Sequence, residues 1–171
     1  ISLRMLQRRL EAGERVIGKK IGVTSKAVQN MLNVHQPDFG YLTDAMVYNS
    51  GEAMPISQRL IQPRAEGEIA SCGLFVLGDQ AVSPRKVDLV TCGMVVEKNG
   101  QIISTGAGAA ALGSPVNCVA WLANTLGRFG MSLKAGEVIL SGSLVPLEPV
   151  KAGDFMRVDI GGMGSASVRF V

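Results

Sequence analysis

Histidine occurs once in the 171 residues, at His35, so no multi-histidine metal centre can be built from this chain. Cys72, Cys92 and Cys118 are odd in number and lack CxxC spacing, which argues for reduced thiols in a cytoplasmic protein, against a disulfide frame and against a zinc site. The formal charge is only +3 and is spread along the chain, and the two tyrosines and one tryptophan do not interleave with a basic stripe. A nucleic-acid partner is therefore not expected. No apolar run approaches the ~20 residues that cross a bilayer, and no signal peptide is visible, so no membrane role is expected. What remains is a 47% hydrophobic, 18% charged mix suited to one well-cored domain.

Local patterns give the elements. Leu3, Leu6 and Leu10 recur at helical spacing before Gly13, and "RVIGKKIGV" reads as a strand. Thr24 and Ser25 are cap residues for a helix over "KAVQNMLN", with Ala27, Val28, Met31 and Leu32 as its apolar face. "HQPDFGYLTDA" reads as a punctuated loop, followed by a strand near Met46 to Tyr48, the "NSGE" turn and a buried strand at "SCGLFVLG". Asn99-Gly100 between two apolar runs signals a hairpin. One long helix starts at Ser114-Pro115 and ends at Gly130, with Val116, Val119, Ala120, Ala123 and Leu126 as its expected stripe. Strands "GEVILSGSLV", "DFMRVDIGG" and "SASVRFV" complete the chain. Strands dominate, so the class is α+β with a mainly antiparallel, rolled or sandwiched sheet and a few peripheral helices.

"QPRAEGEIA" sets Glu66 and Glu68 two apart on an expected strand. Their side chains then share a face about 6.6 Å apart. Two such charges repel by roughly 2.5 kcal/mol at an effective dielectric near 20. A solvated edge would screen the pair; a divalent cation held by oxygen ligands would turn repulsion into attraction. The flanking Pro63 and the apolar Ile69-Ala70 favour the cation over a solvated charge run.

Lys19 and Lys20 lie on one strand, where alternation sends their side chains to opposite faces. The small Gly22 beyond Lys20 leaves room for a lysine that exchanges protons in a pocket. Asp38 in "QPDFG" is a turn former or a site residue. Ser141 and Ser143 flank Gly142, on one expected strand, where hydroxyls either bind a carboxylate or satisfy backbone groups. "GAGAAALG" has the outline of a dinucleotide-binding turn. The helix restarts only at Ser114-Pro115, and the preceding strand belongs to a hairpin, so a small-residue turn between closely approaching backbones fits better.

Together, "GKKIGVTSKAVQNMLNVHQPDFGYLTDAM", "LIQPRAEGEIA", "STGAGAAALGSPVNCVAWLANTLGRFG" and "GEVILSGSLVPLEPVKAGD" resemble the 2-hydroxypenta-2,4-dienoate (2-oxopent-4-enoate) hydratases. These belong to the hydratase/decarboxylase family of the fumarylacetoacetate hydrolase superfamily, and the likeness spans nearly the whole chain. It implies a hydro-lyase of meta-cleavage aromatic catabolism that adds water to a 2-hydroxy-dienoate without an organic cofactor. It implies Mg²⁺ or Mn²⁺ on Glu66 and Glu68, proton transfer by Lys20 and Asp38, a pocket lined by Ser71, and Ser143 near the substrate carboxylate. Lys20 is assigned over Lys19 because the family carries a lysine directly before the Ile-Gly step. A homo-oligomer, and a complex with the pathway's 2-oxo-3-hexenedioate decarboxylase, are implied as partners.

One departure is plain in the sequence. The resemblance implies several tens of residues between Ala70 and Ser71, carrying a third metal carboxylate, whereas here "EIA" runs straight into "SCG". The expectation is a single catalytic domain over 1–171 that lacks this segment and some N-terminal residues. Two other readings stay open: a 2-oxo-3-hexenedioate decarboxylase, and a non-catalytic partner subunit.

Overall fold

The computed structural model describes residues 2–56, 64–65, 74–78 and 80–171. Glu66, Glu68 and Ser71 lie outside the described residues, and so does the Ala70-Ser71 junction.

The chain runs α1 (Ser2–Glu11), β1 (Val16–Gly22), α2 (Lys26–Leu32), β2 (Asp38–Thr43), β3 (Val47–Asn49), β4 (Ala53–Met54), β5 (Arg64–Ala65) and β6 (Phe75–Leu77). It continues through β7 (Gly93–Lys98), β8 (Gln101–Ala107), α3 (Pro115–Gly127), β9 (Val138–Leu140), β10 (Glu148–Pro149), β11 (Phe155–Ile160) and β12 (Gly164–Phe170). A five-stranded sheet has the order β4-β12-β11-β7-β8, and a three-stranded sheet has β2-β1-β9. Among the described residues, β10-β5 and β3-β6 form two further short pairs. Within the five-stranded sheet only β4 runs parallel to its neighbour, and β9 and β6 join β1 and β3 in parallel. The α+β class with mainly antiparallel pairing is what the sequence predicts.

Local chemistry explains the elements that match. Asn99 and Gly100 take φ of 54° and 79°, the left-handed pair that a two-residue hairpin turn requires, and they join β7 to β8. Ser25 Oγ accepts from Val28 N at the start of α2, and Ser114 Oγ accepts from Val116 N ahead of Pro115 in α3.

Four expectations are corrected. "HQPDFGYLTDA" is not all loop: β2 begins at Asp38, because residues 38–43 pair with β1 along its length. The apolar face of α2 does not include Leu32, which is exposed. In α3 the buried residues are Cys118, Leu122 and Leu126, while Val116, at 58% exposure, and Ala120 and Ala123 face outward. Apolar residues nearly encircle that helix, so periodicity does not fix which stripe meets the sheet. The strand over "GEVILSGSLV" stops at Leu140, which leaves Ser141 to Ser143 in irregular backbone.

The three-stranded sheet separates two cores. Ile21, on one face, joins Met94, Val96, Leu122, Leu126 and Met156 in the larger cluster. Leu42 and Leu140, on the other, pack with Met46 and Phe75. No described helix is long and apolar enough to cross a membrane.

"GAGAAALG" is a close backbone approach, as expected. A Cβ on Gly108 would lie 1.7 Å from Leu89 O, and one on Gly106 would lie 2.3 Å from Leu144 O. Both contacts are with backbone, which cannot swing aside. Gly108→Ala should therefore cost about 2 kcal/mol by overpacking, read as a lower urea midpoint at unchanged m-value.

Candidate functional site

Lys20 sits in the middle of β1, paired with Gly40 of β2 on one side and with Leu140 of β9 on the other. Gly22 pairs with Asp38 two steps along, so Lys20, Gly22, Asp38 and Gly40 share one face of the sheet. The two glycines form the floor on which the functional side chains rest. A Cβ on Gly40 would touch Lys20 Cγ at 3.4 Å, so the lysine stem lies over that glycine. A Cβ on Gly22 would fall 2.2 Å from Asp38 Oδ1 and 3.7 Å from Lys20 Cε. Any larger residue at position 22 would thus displace the Asp38 carboxylate from the end of the Lys20 side chain. Lys20 is buried, at 6% exposure, and Asp38 lies at the exposed start of β2.

Lys19 points to the other face and has a different task. Its Nζ donates to Glu137 Oε1 at 2.5 Å, and Glu137 Oε2 accepts from the backbone N–H of Lys134 at 2.9 Å. Burial pushes the Glu137 carboxyl up, but hydrogen bonds from Lys19 and Lys134 outweigh it and hold the group below the ordinary glutamate value. One lysine of the pair is therefore tied into a buried ion pair beside the larger core, and the other lies next to Asp38.

β9 ends at Leu140, and the chain turns through Gly142 at φ +105°. Ser143 Oγ donates to Val145 O at 2.6 Å and accepts from Val145 N at 3.2 Å, so this hydroxyl braces its own loop. Thr24 packs directly onto Gly142, with its Oγ1 1.9 Å from where a Cβ would stand. Sequence reasoning treats Thr24 only as a cap candidate; the signal that marks it is Gly142, whose bare Cα faces it.

The carboxylates expected to hold metal fall outside the described residues, but the strand that leads to them does not. Ala65, the residue before Glu66, pairs with Glu148 and lines a cavity of about 80 Å³ together with Val145, Ser104 and Met156. Ala65 therefore lies beside the segment that carries Val145 and Glu148. Among the described residues, no group of three or more His, Cys, Asp or Glu side chains is placed to hold a metal ion.

The sequence pattern of the fumarylacetoacetate (FAA) hydrolase C-terminal family matches residues 52–171. A 2-hydroxypent-2,4-dienoate hydratase of Pseudomonas putida is 66% identical over 182 aligned positions, covering 77% of this chain and 82% of that protein. A 2-hydroxyhexa-2,4-dienoate hydratase of Comamonas testosteroni is 47% identical, covering 99% of this chain and 84% of its own length. That second alignment spans 221 positions against 171 residues here, so the relative carries residues with no counterpart in this chain. Among solved structures, 4-oxalocrotonate decarboxylase from Pseudomonas putida G7, complexed with magnesium and adipate, superposes with a TM-score of 0.86 at 28% identity. The match covers 99% of this chain and 83% of that one.

Proposed function

The chain belongs to the fumarylacetoacetate hydrolase C-terminal family, and on that premise we propose that it hydrates 2-hydroxypenta-2,4-dienoate to 4-hydroxy-2-oxopentanoate. The observation that carries this reading is the 66% identity to a hydratase named for that dienoate. The meeting of Lys20 and Asp38 over Gly22 supports it, since proton movement between a hydroxyl and a carbon is what the reaction needs.

Glu66 and Glu68 offer carboxylate oxygens, the donor type that suits Mg²⁺ or Mn²⁺. They follow Ala65, which β10 holds beside the Val145 loop. A cation there would supply a Lewis acid for the negative charge that develops on the substrate's 2-oxygen. Magnesium in the decarboxylase structure supports that choice of metal. Lys20 and Asp38 carry the proton steps. The 2-hydroxyl O–H bond breaks, a C–H bond forms at C5, and the double bonds shift to give 2-oxopent-3-enoate. Water then adds across C3–C4, with its oxygen on C4 and a proton on C3. Lys20 and Asp38 relay the first proton from the 2-oxygen to C5, then take one from the attacking water and deliver it to C3, which returns them to their starting state. The buried Lys20 stem holds the ammonium end in one place, so the proton travels a fixed short path.

The test is to incubate purified protein with Mg²⁺ and the dienoate, following loss of dienoate absorbance and appearance of the 4-hydroxy product by NMR. A chain that binds Mg²⁺ without turnover is instead a partner subunit. The fold match to a decarboxylase favours one second reading, release of CO₂ from 4-oxalocrotonate, which a gas-release assay separates from hydration. The homo-oligomer, and docking onto such a decarboxylase, belong to the same proposal and are checked by light scattering of each protein alone and mixed. The residues that the Comamonas testosteroni relative has in excess fall, in this reading, between Ala70 and Ser71. Glu66→Gln should weaken Mg²⁺ binding and turnover together, each by at least about tenfold. Full turnover with unchanged Mg²⁺ affinity would remove Glu66 from the ligand set.

A further inference from the structure

Val23 takes φ of +60° directly after β1 ends at Gly22. A β-branched side chain crowds its own backbone in the left-handed region, so this conformation is a strained one. Ten described glycines take positive φ, and two of the four non-glycine residues that do so are asparagines, which tolerate it. A chain that supplies glycine or asparagine at most such turns, and valine at this one, must hold the valine from outside. The holder is Gln29 of α2. Gln29 is buried, at 3% exposure, and its Nε2 donates to Val23 O at 3.0 Å. Lys26 Nζ donates to Gln29 Oε1, also at 3.0 Å. An ammonium only donates and a carbonyl only accepts, so these two partners fix which way round the amide lies. The backbone of Gln29 is tied down as well: its N–H donates to Ser25 O at 2.9 Å, and its carbonyl accepts from Val34 N at 3.0 Å.

The held turn adjoins the candidate proton relay. Gly22, the residue before Val23, forms the last registered pair of β1 with β2, and its partner is Asp38. Asp38 Oδ1 lies over the bare Cα of Gly22, 2.2 Å from where a Cβ would stand, and Lys20 Cε is 3.7 Å from the same point. Glycine has the widest backbone freedom of any residue, so Gly22 keeps its place only while it is held from both sides, by β2 across the sheet and by Val23 along the chain. We infer that Gln29 is a positioning residue for the reaction: its side-chain amide holds Val23 in the left-handed conformation and, through Gly22, keeps the Asp38 carboxylate beside Lys20. This rests on the reading of Lys20 and Asp38 as the proton relay and deepens it. Gln29 acts through Val23 and not on the substrate, so its effect falls on proton transfer, where a small misplacement is felt, and not on substrate affinity.

Gln29→Met keeps the length of the buried side chain and removes its donor. With Mg²⁺ and the dienoate, well below the unfolding midpoint, kcat should fall at least about tenfold with KM within about threefold of the parent. Val23→Gly supplies a residue that needs no holding, so alone it should keep kcat within about threefold, and combined with Gln29→Met it should restore most of the lost kcat. Should Gln29→Met not fold, Gln29→Asn, which keeps an amide but draws it back from Val23 O, carries the same expectations. If Gln29 only stabilises α2, its variants melt earlier with kcat unchanged, and Val23→Gly rescues nothing; that result overturns the proposal. A second readout needs no turnover: the Lys20 side-chain NMR signals should move when Asp38→Asn is made in the parent, and move much less when it is made in Gln29→Met. An equal response in both backgrounds overturns the proposal, as does no response in the parent. A parent that shows the response and loses it with Gln29→Met, yet does not hydrate the dienoate, removes the hydratase reading and leaves the hold of Gln29 on the pair standing. Hydration that proceeds equally well in Gln29→Met does the reverse.

Discussion

Lys20→Met should lower kcat for dienoate hydration by about a thousandfold while leaving the thermal unfolding midpoint within a few degrees of the parent. Methionine keeps the unbranched stem that lies over Gly40 and removes only the charged, proton-bearing end. A buried position that tolerates an apolar side chain of similar length should not lose its packing. Lys19 cannot replace the lost group, since it points to the other face and is held by Glu137. Asp38→Asn should give a smaller loss of kcat, because its carboxylate sits at an exposed edge where water can substitute for part of its role. Retained turnover in Lys20→Met would move the proton relay away from β1 altogether. Gly22→Ala offers a check that alters neither reacting group. Its methyl would stand where Asp38 Oδ1 now approaches, so kcat should fall although both candidate residues remain.

That pair shows what a sequence can and cannot reveal. Alternation on β1 tells a reader that Lys19 and Lys20 part company, but not which of them is tied into a buried ion pair, because Glu137 is more than a hundred residues away and joins through the parallel register of β9. β2 was hidden for a related reason. Pro37 and Gly40 look like loop punctuation, yet Gly40 is a strand glycine that makes room for the Lys20 stem on the facing strand. The hairpin at Asn99-Gly100 and the caps at Ser25 and Ser114 were legible because their causes lie within a few residues. The phase of α3 was not, since Val116, Ala120 and Ala123 are as apolar as the Cys118, Leu122 and Leu126 that the sheet selects. Ser141 and Ser143 are the same residue type and differ only in what surrounds them: Val145 engages the Ser143 hydroxyl, whereas the buried Ser141 Oγ has no hydrogen-bond partner among the described residues.

The Lys19–Glu137 pair predicts the largest single effect on stability. Both side chains are largely withdrawn from water, at 6% and 14% exposure, and their contact joins β1 to the loop before β9. Glu137→Ala would leave the ammonium of Lys19 without its partner in a buried setting, and Lys134 N–H would lose its acceptor as well. The expected cost is about 3 kcal/mol, measured as loss of unfolding free energy in urea. The double change Lys19→Met with Glu137→Leu should recover most of it, because the penalty comes from one unpaired charge and not from the absence of the pair. Acid should weaken the parent through the same group. The Glu137 carboxyl lies below its ordinary value when folded, so the pair's contribution is complete above the unfolded glutamate value. It is lost as pH falls through the lower folded one, because the unfolded chain then takes up the proton first. Stability measured from neutral pH downward should begin to decline near the ordinary glutamate range, and the double variant should decline less steeply over that interval. Equal slopes in the two proteins would place the acid sensitivity elsewhere, for which Glu14, held low by its hydrogen bond from Thr43, is the next group to replace.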